Sequence, residues 1–312
     1  MQKSIQISVV IPSYKTEYEV MKRTVDSVLS QTYKPLEIII IDDNGLNEFS
    51  EYNKRIECEY SDSVIVLYNK TNSGANFSRN IGIQAARGSY IAFLDSDDEW
   101  SPKYLEKIAD KIIETNAKFI AVNLQIISKA GVMPSRFTIN ERKSGNIAMK
   151  ELIADCAGPT SALVIEKDTL ILAGMFDCQL PARQDYDMSI RVSQLVDIHY
   201  IYEPLVRIYR DGHYSISSSY KRNVSGTKMV LDKILKTYKL TVSERKEIIA
   251  SHNFHMAMAC ILCNAYSDAK PFLRVSINNR LTCKKVMLYV LCCMPSLFSF
   301  AKRFRRTYIY KK

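Results

Sequence analysis

Short apolar runs alternate with segments of helical period along the first 130 residues. Residues 7–11, 36–41, 64–67 and 90–94 are runs of β-branched, leucine and aromatic side chains with hardly a polar break. Runs of that length and uniformity suit parallel strands covered on both faces. Between them, residues 17–31 place Val20, Met21, Thr24, Val25, Val28 and Leu29 at helical intervals, and 76–86 and 102–114 do the same. The last of these opens on Ser101-Pro102, which predicts Ser101 as N-cap and Pro102 as the first helical residue. Alternation of strand and helix predicts an α/β fold with an open, Rossmann-like, mostly parallel sheet. Such sheets take their ligands outside the carboxyl ends of the strands.

The pattern loosens over residues 131–160, where Gly131, Pro134, Gly145, Gly158 and Pro159 interrupt it. This stretch predicts loops around one short helix at 147–155, then strands at 162–165 and 200–202. Beyond Ser219 the helical period dominates. The expected organisation is a sheet domain over 1–219, with a first half at 1–130 and a second at 131–219, and a C-terminal helical extension over 220–312. A chain of 312 residues is long enough for a full core and such an appendage.

Charge alters the reading at one end only. The net charge is +10, yet residues 270–312 hold eleven Lys or Arg and no Asp or Glu, so the rest is close to neutral. Within that stretch VMLYVLCCMPSLFSFA (286–301) is apolar, broken by Pro295 and flanked by Lys284, Lys285, Lys302 and Arg303. It is too short for a membrane span, which takes about 20 residues. An apolar, aromatic segment between basic flanks instead suits the interface of an anionic membrane. A helical hairpin packed on the domain is the competing reading, and these helices also offer a surface for a homodimer. A near-neutral domain without a recognition motif argues against nucleic acid.

The N-terminal apolar run is only ISVVI, with no cleavage site after it, so no secretory leader is expected. The expected place is cytoplasmic, peripheral to the inner face of the cell membrane. The eight cysteines lack framework spacing and are read as free, buried thiols of a reducing compartment. His252, His255, Cys260 and Cys263 fall in one helical pattern with no second Cys pair, which predicts a packed helix rather than a zinc site.

The candidate chemistry lies in carboxylates. In YIAFLDSDDEW (90–100) a core-like strand ends in Asp95, Asp97, Asp98 and Glu99. Like charges this close repel, and burying one without a partner is costly. IIIIDDNG (38–45) brings Asp42 and Asp43 to the end of another strand, and PARQDYDMSIR (181–191) adds Asp185 and Asp187 at a helix start. Asp98 and Glu99 precede Ser101-Pro102 and are expected on a solvated face or at a helix N-terminus, where acids are favoured.

Together with VVIPSYK (9–15), SVLSQTYKPLEI (27–38), NSGANFSRNIGIQAARGSYIAFLDSDDEW (72–100) and GMFD (174–177), these groups resemble the inverting glycosyltransferase family 2, of GT-A fold. The likeness runs from about residue 5 to 210 and is of the bacterial surface-polysaccharide type. It implies a nucleotide-sugar donor, most often a uridine diphosphate sugar, with Asp43 at the uracil, Pro12 and Tyr14 lining the base pocket, and Arg79 near the nucleotide. It makes 95–97 the Asp-x-Asp motif, with Asp95 facing the ribose beside Ser96 and Asp97 holding Mn2+ or Mg2+ on the diphosphate. Such cations do prefer carboxylate and phosphate oxygens.

The resemblance further implies Asp185 as the base that takes the proton of the acceptor hydroxyl. The family's Glu-Asp pair reads Gln184-Asp185 here, a neutral amide in place of the neighbouring acid. Asp187 falls two residues past the motif, Arg191 is expected to pair with a nearby acid, and His213 is an additional residue near the diphosphate. The implied acceptor is a saccharide, lipid-linked and presented at the membrane. A non-catalytic nucleotide-sugar-binding protein of the same fold stays open as an alternative. A processive polysaccharide synthase is disfavoured, because no Gln-x-x-Arg-Trp follows the base and the only tryptophan is Trp100.

Overall fold

The computed structural model describes residues 5–128, 131–133, 157–210 and 219–294. The helix expected at 147–155, His213 and the chain beyond 294 lie outside the described residues. Two compact units divide the chain, one holding the sheet and the other the helices from Ser219 onward.

The sheet is built from β1 (Ile7–Ser13), β2 (Glu37–Asp42), β3 (Val64–Tyr68), β4 (Tyr90–Phe93), β5 (Glu99–Trp100), β6 (Phe119–Ser128), β7 (Gly131–Met133), β8 (Leu163–Glu166) and β9 (Ile198–Tyr209). Its order is β3-β2-β1-β4-β8-β6-β9-β5, with β7 on β6. The pairs β1–β2, β1–β4, β2–β3 and β6–β9 are parallel, whereas β8 runs antiparallel between β4 and β6. Strands β1 to β4, β6 and β9 therefore point the same way, and their carboxyl ends share one edge.

Two apolar layers explain the uniform runs. On one face α1 (Tyr18–Leu29), α2 (Glu48–Glu59) and α4 (Tyr104–Thr115) pack Met21, Val25, Val28, Ile56, Leu105 and Ile108 onto Val9, Ile38, Ile40 and Ala92. On the other, α3 (Ala75–Ala85), α5 (Lys167–Leu172) and α6 (Gln184–Ser193) bring Ile83, Leu170, Met188 and Val192 to Val10, Ile39, Ile41 and Phe93. With both faces covered, every residue of β1, β2 and β4 is buried. The run at 64–67 differs: β3 is an edge strand, and Ile65 is half-exposed on it.

The second unit stacks α7 (Tyr220–Thr237), α8 (Val242–Leu262), α9 (Tyr266–Asn279) and α10 (Cys283–Cys293). Thr241 and Glu244 form a reciprocal capping box at the start of α8. Ala257, Cys260, Tyr266, Leu273 and Cys292 form its core. His252 is buried, with Nδ1 2.9 Å from the Ile248 carbonyl oxygen. Burial pushes the Cys260 thiol up to about 11. Among the described residues the expectation of buried thiols holds for Cys260 and Cys292; Cys58, Cys178, Cys263, Cys283 and Cys293 are exposed. Helix ends, not the core, receive most of these side chains.

Several boundaries differ from the sequence reading. Helix α4 begins at Tyr104, and Ser101 uses its backbone carbonyl, not its side chain, to accept from Tyr104 N–H at 2.9 Å. Gly131 starts a short strand, not a loop, by pairing with Ser128. Strand β9 is far longer than 200–202, and Pro204 sits inside it because the ladder with β6 is bulged around Asn123. A bulge is where a strand tolerates a proline.

Candidate active site

The site is assembled at the carboxyl edge. After Phe93 the chain leaves β4 and turns through Asp95, Ser96, Asp97 and Asp98 before pairing with β9 as β5. Helix α1 holds that turn by three consecutive backbone carbonyls. Thr24 Oγ1 donates to Ser96 O at 3.0 Å and to Asp98 O at 2.8 Å, and Arg23 Nη2 donates to Asp97 O at 2.7 Å. The Ser96 hydroxyl adds a bond of 2.6 Å to the Thr16 hydroxyl. With its backbone fixed in this way, the turn presents Asp97 as its exposed residue.

Ser161, in the short 3-10 turn before β8, supports the turn from the opposite side. Its hydroxyl donates to Asp98 Oδ2 at 2.5 Å and accepts from Asp95 N–H at 3.0 Å, and its carbonyl accepts from the Trp100 indole at 2.9 Å. Asp98 is consequently buried rather than solvated. Burial, with Asp95 and Asp97 nearby, pushes its carboxyl well above the usual range, against the pull of the Ser161 hydroxyl and Tyr209 N–H. Glu99 lies in β5, where Arg207 Nη1 donates to it at 2.9 Å and the Tyr209 hydroxyl at 2.6 Å. Neither acid caps a helix. The turn needed a buried pivot and a strand pair at those two positions.

Arg79, on α3, is buried and donates from Nη2 to Asp95 Oδ1 at 2.5 Å. Its Nε and Nη1 are buried with no hydrogen-bond partner, and its guanidinium lies 5.5 Å from the Phe176 ring. Helix α3 sits close enough to deliver this side chain because Gly82 faces the sheet. A Cβ there would lie 2.4 Å from Val10 Cγ1. Asp43, just past β2, is buried and accepts from Asn69 Nδ2, Ser73 N–H and Gly74 N–H, each at 2.8 Å. A carboxylate offers about four acceptor positions, so three are filled by the chain itself. Pro12 lies within β1 opposite Ile41, and Tyr14 follows it with half its surface exposed.

Asp185 lies near the start of helix α6, at the end farther from β9. Helix α6 is followed at once by β9, which starts at the opposite, amino edge, and Met188 and Val192 lay the helix across the sheet. Ten residues of helix cover about 15 Å, and Gln184 and Asp185 stand in its first turn, at the end away from β9. The preceding segment is tied to α3: Asn80 donates from Nδ2 to Phe176 O at 2.8 Å, and Asn76 to Asp177 O at 2.9 Å. Asp185 Oδ1 accepts from Tyr186 N–H at 2.8 Å. Asp187 is buried and receives Arg191 Nε at 3.0 Å and Nη2 at 2.7 Å, so Arg191 finds the acid expected for it.

The model of glycosyl transferase family 2 matches residues 8–165, the stretch from β1 to β8 that carries Asp43, Arg79 and the acidic turn, while Asp185 lies beyond it. The chain belongs to glycosyl transferase family 2. An uncharacterized glycosyltransferase of Haemophilus influenzae is 27% identical to it over 305 residues, 95% of this chain and 99% of the other. WfgD of Escherichia coli, described as a UDP-Glc:alpha-D-GlcNAc-diphosphoundecaprenol beta-1,3-glucosyltransferase, is 31% identical over 188 residues, 60% of this chain and 69% of its own length. Among solved structures, S. aureus TarS 1-349 in complex with UDP superimposes with a TM-score of 0.67 at 15% identity, over 93% of this chain and 87% of that one. That likeness shows a shared fold, the GT-A type expected for family 2.

Sequence reasoning missed the supports of the edge: Thr24, Arg23 and Ser161. Thr24 reads as one more residue at helical spacing, and nothing in the order of the chain ties it to a turn 72 residues on. Among the described residues no three His, Cys, Asp or Glu side chains converge as a complete metal cage.

Proposed function

We propose that this family 2 protein is an inverting glycosyltransferase that moves one sugar, a hexose, from a uridine diphosphate sugar to a hydroxyl of a lipid-linked saccharide. Its setting would be surface-polysaccharide assembly: O-antigen, capsule or lipooligosaccharide. One observation supports this above others. The clamped turn 95–98 lies beside a buried guanidinium with two unpartnered nitrogens, at the carboxyl edge of the sheet. Buried donors without partners are rare, and phosphate oxygens are acceptors that suit a guanidinium. Asp43 keeps room for one further donor, such as the imide N–H of uracil. The printed description of WfgD, with its UDP-glucose donor and diphosphoundecaprenol acceptor, points the same way.

The residues fit a divalent cation. Asp97 is an exposed carboxylate next to the partly exposed Asp95, with no third ligating side chain converging among the described residues. A Mg2+ or Mn2+ ion held there would take its other ligands from the diphosphate and water, as magnesium commonly does. When bound it neutralises charge on the departing diphosphate. The chain's residues do the rest. Arg79 binds and orients the diphosphate. Asp185 accepts the acceptor's hydroxyl proton while that oxygen bonds to the anomeric carbon. The bond from that carbon to the diphosphate oxygen breaks, its electron pair leaves with the nucleotide, and attack from the opposite side inverts the centre.

An ordinary Asp, with a pKa of about 3.9, is a weak base, but the hydroxyl proton acidifies as the new bond forms. Gln184 cannot take a proton, and Asp187 is held by Arg191, so the role falls to Asp185. Toward the other end of the chain, α10 and the residue after it expose Val286, Met287, Val290 and Met294 in a stretch rich in cations and free of acids. That face suits docking on an anionic, cytoplasmic leaflet, where a lipid-linked acceptor is presented.

Asp185→Asn tests the reading. Turnover against a panel of nucleotide sugars with manganese should fall by about 10²–10⁴-fold, while UDP affinity stays unchanged, and chelation should abolish transfer. Unchanged turnover removes Asp185 from the mechanism. A wild-type protein that binds donors and never turns them over is the non-catalytic alternative.

A further inference from the structure

Arg23 lies on α1, outside every residue assigned to the donor or to the chemistry. It nonetheless makes the middle of the three contacts that hold the acidic turn, from Nη2 to Asp97 O at 2.7 Å. Its guanidinium carbon also lies 3.8 Å from the centre of the Tyr209 ring, the geometry of a cation stacked on an aromatic face. Tyr209 is itself fixed, because its hydroxyl donates to Glu99 Oε2 at 2.6 Å and its strand pairs with β5. The Nε of Arg23 is buried with no partner. A side chain that accepts an unpartnered nitrogen in order to hold one carbonyl is committed to that carbonyl.

We infer that Arg23 is a positioning residue for the donor site. Stacked on Tyr209, it sets the peptide that follows Asp97 and so the direction in which the Asp97 carboxylate leaves the turn. It also places a fixed positive charge next to a turn with four acids in five positions, which lessens their mutual repulsion before any donor arrives. Thr24 bonds the carbonyls on either side, Ser96 and Asp98, and carries no charge. Arg23, unlike Thr24, also packs on Tyr209 at the end of β9, whose N–H bonds Asp98 of the same turn. A lysine has one compact charge and no planar face, and cannot stack and donate in the same way.

The inference rests on the reading of this edge as a site for a uridine diphosphate sugar. The experiment therefore begins with wild-type protein, titrated with UDP and manganese by calorimetry. If wild type binds no UDP, the proposed function fails. If wild type binds, Arg23→Met should weaken UDP about tenfold, Arg23→Lys by less, and Lys22→Met, which removes the same charge one residue away, should leave affinity unchanged. The ligand-free melting temperature separates positioning from scaffolding. Positioning predicts lost affinity with little change in melting. Scaffolding predicts a lower melting temperature with affinity retained in the folded fraction. Should Arg23→Met fail to fold, Tyr209→Leu removes the stacking platform and keeps the charge, and it too should weaken UDP. Wild-type affinity in Arg23→Met, or in Tyr209→Leu where that variant is needed, overturns the inference.

Discussion

Glu37 opens β2 with its carboxylate buried, and burial alone would raise its pKa. The Arg87 backbone N–H, the Ser8 hydroxyl and the Arg87 guanidinium outweigh that, and the carboxyl is held below its ordinary range. Contacts of 2.6, 2.7 and 2.8 Å supply the pull. A depressed folded pKa contributes stability that is complete above the unfolded value, near 4.3, and is lost as pH falls through the folded one. Glu37→Gln should therefore cost about 1–3 kcal/mol at pH 7. The gap from wild type should close below about pH 4, as read from urea midpoints across pH. At this scale the sequence exposed the carboxylates as candidates, because four acids after an apolar strand need explaining. It hid which of them meets solvent. Asp98 and Asp97 are neighbours with the same side chain, yet one is buried on a serine 63 residues away and the other is exposed.

Elements were legible where apolar periodicity was strong and hidden where long-range partners replaced it. Strands β1, β2 and β4 and helices α1, α3 and α4 follow from their patterns to within a residue or two. Helix α2 does not, since only Ser50, Asn53 and Ile56 are buried along it and its start depends on Asn47 accepting from Phe49 and Ser50 N–H. Most of β9 escaped because Pro204 lies within it and its ladder with β6 is bulged around Asn123, so that its pairing was hidden too. Helix α3 shows how tightly an element is set. Gly82→Ala would push a methyl group to 2.4 Å from Val10 and 2.9 Å from Ile41. Overpacking of this kind costs about 1–3 kcal/mol, and relief by lifting α3 would also move Arg79. The expected result is a lower melting temperature together with weaker UDP binding, whereas a helix-propensity effect alone would raise stability.

Across the whole molecule, charge and apolar exposure concentrate in the same C-terminal stretch. Val290→Glu with Met287→Glu changes only exposed positions on α10, so melting should hold. Co-sedimentation with phosphatidylglycerol vesicles should drop severalfold, with UDP affinity intact. Equal sedimentation of the variant would remove this face from any part in docking.

Ser161 reaches across more than sixty positions to join the acidic turn, and it does so from the lip of β8, a reversed strand wedged between β4 and β6. Loop closure over such distances is slow relative to local structure. A nascent chain therefore owns its carboxylates long before it owns their geometry. Any fragment ending ahead of residue 161 holds the acids as mere composition, and competence arrives only when the last third of the sheet has threaded into place.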